Sequence, residues 1–501
     1  MDAQRCFNLV DESWIPAGPA GRVSLREVFS RPDLTGPGGT PLEKIALYKL
    51  LQAIAQAANT PADDAAWLRL GPEGLADCCL AYLERWRDAF WLYGPAPFLQ
   101  FPAVAKAKLL PYGSLLPHVA SGNTSVLFQS QMEQPLDDAQ KALLLLVNMS
   151  CCFSGKKVDK TVALSPGITK GASAKAGPAL CSLGLLHSFL MGRSLRETVW
   201  LNLLTQEHLA QERLYEHGVG TPPWEAMPKG EADGIAESLR RSLMGRLVPM
   251  ARFYLLDEKG VHSVEGIQHP DYLQGGMVDP SVTGDRSLKK PKMTWADPQK
   301  RPWRMLPSLL GFLHYGQTSS LRCLQLFWCV PRLARTTRED VAIWSGGIRL
   351  RGNAGEQYLS GADDVVESEI HLPRACLGMG EENLWFQAFQ WGMEQLEALG
   401  SADYASVAAY YKAEKAENSG ERAGRASLEF WQMAERHFPD LVEACGQEDG
   451  GAARAQVVRT LRGCALECYD HACPRETARQ LQLWAFHCPF SRKKRRSGEE
   501  G

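Results

Sequence analysis

The chain has no run of 18 apolar residues, so a membrane-spanning helix is not expected, and no basic-then-apolar leader of the secretory kind. A cytoplasmic protein with no membrane contact is the resulting expectation. It has almost no net charge. In its 501 residues, 55 Lys and Arg against 57 Asp and Glu leave −2, so any polyanion must be met by local clusters and not by the surface at large. The phosphate-cradling pattern GxxxxGK[ST] is missing, and GITKGASAK does not have its spacing. SxxK occurs at Ser154–Lys157 and Ser287–Lys290, without the SDN or KTG partner that serine acyl-transfer chemistry needs. No CxxC pair is present. The nearest thing to a metal cluster is Cys464, Cys468, His471 and Cys473, whose i,i+4 cysteines read as buried thiols on a helix. The 14 cysteines are scattered, and the adjacent pairs Cys78–Cys79 and Cys151–Cys152 are poor disulfide partners, so reduced thiols are expected. No internal repeat is visible. Neither a cofactor nor a bound metal is expected.

What is present is enough apolar sequence (45%) for a sizeable core in two or three domains. Residues 7–17 and 251–258 read as strands, and Thr40-Pro-Leu-Glu43 as a capping box opening a helix whose face is Ile45, Tyr48, Leu51 and Ala55. A second helix is expected from Glu73 to Phe90, and Ser194–Glu197 caps another that runs to about Leu209. Composition changes near residue 380. Beyond it lie the helical patterns 383–399, 404–416, 426–435, 440–445, 452–473 and 476–486, broken at Gly400, Ser419–Gly420, Pro439 and 446–451. These read as a bundle of about four long helices. The tail SRKKRRSGEEG (491–501) is basic and reads as a solvated extension.

Three segments carry small residues, amides and isolated basic groups on loops. The first is Ser121–Gly177. Its latter half holds five lysines (156, 157, 160, 170, 175) against Asp159, with glycines at 155, 167, 171 and 177. Positive charge on a backbone with few side chains suits close approach to phosphates. The second is Gln268–Lys292, with the run DRSLKKPKM. The third is a glycine-tipped hairpin whose strands are IRLR and EQYL and whose turn is Gly352–Gly355. Such residues suit the minor groove, and a rigid hairpin tip can wedge a base step open. A reading of another class is a metal-dependent nuclease built on Asp363, Asp364 and Glu367. These acids lack a paired lysine or histidine at useful spacing.

FNLVDESWIP (7–16), PFLQ (97–100), SGNTSVLF (121–128), GRSLRETVWLNLLT (192–205), TPPW (221–224), Gly346-Gly347 and AERHF (434–438) occur in this order. The ordered set resembles the CasA family, the large subunit of the type I-E CRISPR Cascade surveillance complex, over nearly the whole chain. The resemblance implies an α+β architecture. A large globular N-terminal mixed α/β domain (1–380) is followed by a C-terminal four-helix bundle (381–490) and the tail. It also implies a function without catalysis in antiviral defence. The large subunit reads the protospacer-adjacent motif in duplex DNA through the minor groove, promotes duplex opening and R-loop formation, and recruits the helicase-nuclease. Its partners would be double-stranded target DNA, CRISPR RNA, and the backbone, small-subunit-dimer and guide 5′-end-binding subunits. Carried over residue by residue, the first contact loop is Phe128, Gln129 and Ser130. The glycine loop falls at Lys170, Gly171, Ala172, Ser173, Ala174 and Lys175, without the family's run of glycines. The lysine-finger position holds Gln268 or His269, with Lys289, Lys290 or Lys292 able to substitute. The wedge hairpin offers Arg349, Arg351, Gly352, Asn353 and Gln357. Some relatives carry a cysteine-pair zinc loop, but DEKGVHSVEG (257–266) has no cysteine, so none is expected.

Overall fold

The structure, a computed structural model, describes residues 6–115, 135–151, 159, 161–166, 179–180, 184–211, 215–269, 279–285, 292–316, 321–336, 340–349, 351–353, 356–358, 365–378, 383–447 and 450–490. The chain divides into two compact units, one of residues 1–310 and 318–370, the other of 311–317 and 371–501. Composition alone does not assign 311–317 to the second unit.

In the first unit the expected 7–17 strand shrinks to β1 (Ile15–Pro16), paired antiparallel with β2 (Arg22–Val23). The side chain of Asn8 accepts from Val10 N (2.9 Å), turning the backbone locally before a strand can form. A capping box between Ser24 and Glu27 starts α1 (Leu25–Ser30), and the expected box between Thr40 and Glu43 starts α2 (Pro41–Ala58). Sequence periodicity gives α2 one apolar face, yet it is buried nearly all round, from Pro41 to Gln56. Its polar residues are satisfied individually. Gln52 donates to Val199 O (2.9 Å), and Gln56 exchanges hydrogen bonds with the backbone of Leu204 (2.8 and 3.2 Å). The next helix, α3 (Asp64–Arg85), begins about two and a half turns before expectation and kinks at Gly71-Pro72, where Gly71 has φ 62°.

Then come β3 (Leu109–Leu110), α4 (Asp138–Cys151), β4 (Leu186–Met191) and α5 (Leu195–Leu201). Trp67 of α3 and Trp200 of α5 stack at 4.1 Å, each indole N–H donating to the other residue's carbonyl. The remaining strands are β5 (Arg252–Asp257), β6 (Gly260–Glu265), β7 (Thr283–Asp285), β8 (Lys292–Met293), β9 (Leu321–Cys323), β10 (Asp340–Ile348), β11 (Arg351–Asn353), β12 (Glu356–Tyr358) and β13 (Val365–Pro373). They form small sheets ordered β3-β6-β5, β13-β10-β4 and β8-β7-β9, with β11-β12 a separate hairpin. Among the described residues eleven cysteines are free thiols. Cys151 is disulfide-bonded, which corrects the expectation of reduced thiols throughout. Bridging needs Cα atoms brought within reach by the fold, and sequence spacing does not report that.

The second unit is built on α6 (Leu384–Glu414), α7 (Ser419–Gly446), α8 (Gly451–Ala472) and α9 (Ala478–His487). Six helical patterns have become four helices, because the expected breaks at Gly400 and Pro439 lie inside α6 and α7. Packing decides at Gly400, where a methyl group would sit 2.7 Å from Trp431 Cζ2 and 3.1 Å from Phe430 Cε1. The missing side chain lets α6 and α7 approach, and burial along both helices outweighs one residue's propensity. Among the described residues no helix is long and apolar enough to cross a membrane.

Candidate nucleic-acid interface

The first three residues of β4 and the one before them, Leu185–Ser188, form a hub where the loops singled out from sequence are rooted. His187 is fully buried, and its Nε2 donates to the carbonyl of Leu180, which lies just beyond the 167–178 loop. Leu180 N is also tied to Ser150 O (2.9 Å), at the end of α4. On the other side of the ring, Ser281 Oγ lies 2.8 Å from His187 Nδ1 and 2.9 Å from Asp279 Oδ1. Burial pushes the imidazole down to about 4, so it is neutral at physiological pH. Ser188 N donates to Ser281 O (2.8 Å), which fixes the chain as it leaves the 270–278 loop.

Asp279 is itself buried and paired with Lys49 Nζ of α2 at 2.5 Å. Burial, the largest single influence, would raise the carboxyl, but the Lys49 ammonium together with the hydrogen bonds from Lys49 and Ser281 N holds the group below the usual range. Burial lowers the Lys49 amine, with Asp279 opposing. The two groups form a close buried pair, and Ser281 N adds a further bond to Asp279 Oδ1 (3.0 Å).

The other end of the 270–278 loop is pinned as firmly. His269 is 3% exposed; Arg246 Nη2 donates to its Nδ1 (2.8 Å), and its Nε2 donates to Pro249 O (2.7 Å). Burial first, then Arg246, keeps the imidazole well below its ordinary value and hence neutral. Of the two residues at the finger position, then, Gln268 is exposed and His269 is an internal anchor.

The hub also carries the root of the hairpin. In the β4–β10 register His187 faces Gly346 and Leu186 faces Gly347. A methyl on Gly347 would lie 2.6 Å from Leu185 O and 3.1 Å from Ala296 Cβ, so glycine there permits the close approach of three segments. β10 leads through Arg349 into β11–β12, where Arg351 pairs with Tyr358, Gly352 with Gln357 and Asn353 with Glu356. Gly352 and Asn353 thus belong to the ladder and not to the turn, a correction of register: the connection is the two residues 354–355. Arg349 is exposed, its guanidinium 3.6 Å from Asp297. The segment after the 286–291 loop is held to the same hub, Leu186 N donating to Thr294 O (3.2 Å) and Ala296 N to Gly184 O (2.7 Å).

Phe128, Gln129 and Ser130, the Lys170–Lys175 loop, Lys289 and Lys290 lie outside the described residues. Sequence reasoning missed Lys49, His187 and Ser281. The Asp-Pro-Ser pattern at 279–281 carries an Asx-turn signal, whereas nothing marks Lys49 in a helix of ordinary composition. Among the nuclease candidates, Asp363 and Asp364 lie outside the described residues, and Glu367 accepts from Lys44 Nζ (2.7 Å) and Trp344 Nε1 (3.1 Å). No group of three His, Cys, Asp or Glu is placed to hold a metal ion among the described residues. Cys464, Cys468 and Cys473 are buried in the bundle, and His471 faces outward, 2.9 Å from Glu429.

The family model of CRISPR-associated protein Cse1 matches residues 8–468. A CRISPR-associated protein CasA/Cse1 of Thermus thermophilus is 33% identical over 282 residues, 53% of this chain; the match spans about half (50%) of that relative's length. The crystal structure of Thermobifida fusca Cse1 superposes with a TM-score of 0.70 at 20% identity, over 96% of this chain and 97% of that one. A chain of a CRISPR RNA-guided surveillance complex superposes with a TM-score of 0.67 at 18% identity, over 97% of this chain and 99% of that one.

Proposed function

The chain belongs to the CRISPR-associated Cse1 family, and from that membership we propose that it is the large subunit of an RNA-guided Cascade surveillance complex of type I-E. In this reading it is not a catalyst. It reads a short protospacer-adjacent motif in duplex DNA through the minor groove, helps open the duplex for pairing with the CRISPR RNA, and recruits the helicase-nuclease. Protein reads the short motif and base pairing reads the rest.

The observation that carries the reading is the convergence on Leu185–Ser188. Loop ends at Ser281 and Thr294 and the start of the hairpin at Gly346–Gly347 are fixed to the backbone of one buried stretch, and the loop end at Leu180 to its His187 side chain. Elements that must engage one short motif together need a common rigid base. Phosphate contacts from Lys170 and Lys175 set position, and the residues beside them read the motif.

The test uses the complete complex assembled with guide RNA. Target-duplex affinity is measured against salt for the wild type and for Lys170→Ala/Lys175→Ala. Loss of two phosphate contacts lowers the log–log salt slope by about 2 and weakens binding most at low salt. Unchanged affinity at every salt concentration contradicts the assignment. Arg351→Ala/Asn353→Ala is expected to slow strand opening more than first binding, and equal losses in both steps remove the hairpin from the wedge role.

A further inference from the structure

Trp295 is 44% exposed, on a backbone with little freedom. It forms a β-bridge with Leu185, and the residues on either side, Thr294 and Ala296, are hydrogen-bonded to Leu186 and Gly184. Ala296 packs into the core with Leu186 and Val366. With a side-chain period of two, Trp295 and Asp297 therefore turn outward on the same side. Arg349, the residue that leads from β10 toward the hairpin, reaches Asp297 at 3.6 Å, which brings an exposed guanidinium to the side of the strand that carries the indole. Lys292, Lys300 and Arg301 are exposed along the same stretch, and from Lys292 to Arg304 four basic residues stand against Asp297 alone.

Nothing in the fold requires an indole to face water here. Core tryptophans such as Trp14, Trp67 and Trp344 are at most 2% exposed. A fixed aromatic face beside cationic side chains is what unpaired nucleic acid uses. The base stacks without regard to its identity, and its phosphate meets the cation. The Arg349–Asp297 pair is exposed on both sides, so exchanging the carboxylate for a phosphate loses little.

We propose that Trp295 is a stacking platform for an unpaired nucleobase, with Arg349 holding the adjoining phosphate. The strand it takes is the one released where the duplex opens beside the 351–358 hairpin. The inference rests on the duplex-opening function proposed above and adds to it a place for the displaced strand. Holding one base outside the helix slows re-annealing while the guide pairs.

The experiment compares the assembled complex carrying wild-type subunit, Trp295→Ala or Trp295→Phe on two DNAs. One is fully paired and carries the motif without a sequence matching the guide, so that it stays closed; the other is a matching target pre-opened next to the motif, so that the displaced strand is already single. Trp295→Ala is expected to weaken binding to the pre-opened DNA by about tenfold. Affinity for the paired duplex stays within about twofold, and Trp295→Phe keeps most of the wild-type preference. Abasic sites along the displaced strand should lower wild-type binding to the Trp295→Ala level and leave that variant unaffected. Equal binding of wild type and Trp295→Ala to the pre-opened DNA overturns the platform. So does indifference of the wild type to abasic sites. Loss of Trp295→Ala subunit from the purified complex also overturns it, and assigns the indole to a protein neighbour. A wild-type complex that binds neither DNA refutes the duplex-reading function as well, which separates that failure from failure of the platform alone.

Discussion

Lys49 and Asp279 meet at 2.5 Å with almost no exposure on either side, far apart in sequence. In the sequence Lys49 is an ordinary charged residue on a helix, and the apolar spacing of its neighbours is all that can be read. Tertiary packing turned that position inward and supplied its counter-ion, which in turn holds the end of the 270–278 loop. Lys49→Met should leave Asp279 buried and unpaired, costing about 3–5 kcal/mol in chemical denaturation. The double variant Lys49→Met/Asp279→Leu should recover part of that loss, because it removes the uncompensated charge. A double variant no more stable than the single would contradict the ion-pair account. His269 teaches the same lesson from the other side. A histidine in a candidate DNA loop reads as a contact, and only the bonds to Arg246 and Pro249 show it facing inward.

Helix α6 runs 31 residues through a glycine, and α7 runs 28 through a proline. Glycine and proline punctuation read on its own gives breaks at both places. The structure gives continuous helices because each buries a long apolar stripe, including Leu396, Leu399 and Val407 on α6 and Phe430, Ala434 and Phe438 on α7. One glycine from each helix, Gly400 and Gly424, should respond oppositely to a methyl group. Gly400→Ala meets Trp431 and Phe430 and should destabilise the bundle by about 1–3 kcal/mol. Gly424→Ala in α7 meets nothing within 4 Å and should stabilise it by about 0.5–1 kcal/mol through helix propensity. Thermal unfolding of the two variants checks both signs at once.

Buried ionisable groups give the two units opposite responses to acid. In the first, burial lowers His187 to about 4 and His208 to about 3. A histidine depressed in the fold contributes stability that is present above its unfolded value near 6.5. That contribution is lost as pH falls toward the folded value, roughly 2 kcal/mol per residue by pH 5. In the second unit Asp403 of α6 is buried with both carboxylate oxygens unpartnered, and burial, then Glu429, raises it to about 7. Its contribution is complete below 3.8 and is lost as pH rises toward 7, so this unit gains roughly 2 kcal/mol from pH 7 to pH 5. Calorimetry should show one transition falling and one rising over that range, and Asp403→Asn should abolish the rise. Transitions that move together in both proteins would contradict the assignment. At this scale the sequence by itself determined the class of the molecule. Capping boxes at Thr40, helical periodicity beyond 380 and an ordered set of short motifs are local signals, legible because each rests on neighbours a few residues apart. Tertiary structure decided which polar residues are structural, where the helices run through their breakers, and which loops share a base. Those outcomes depend on contacts such as Lys49 with Asp279 and His187 with Leu180 and Ser281, between residues whose meeting no local pattern records.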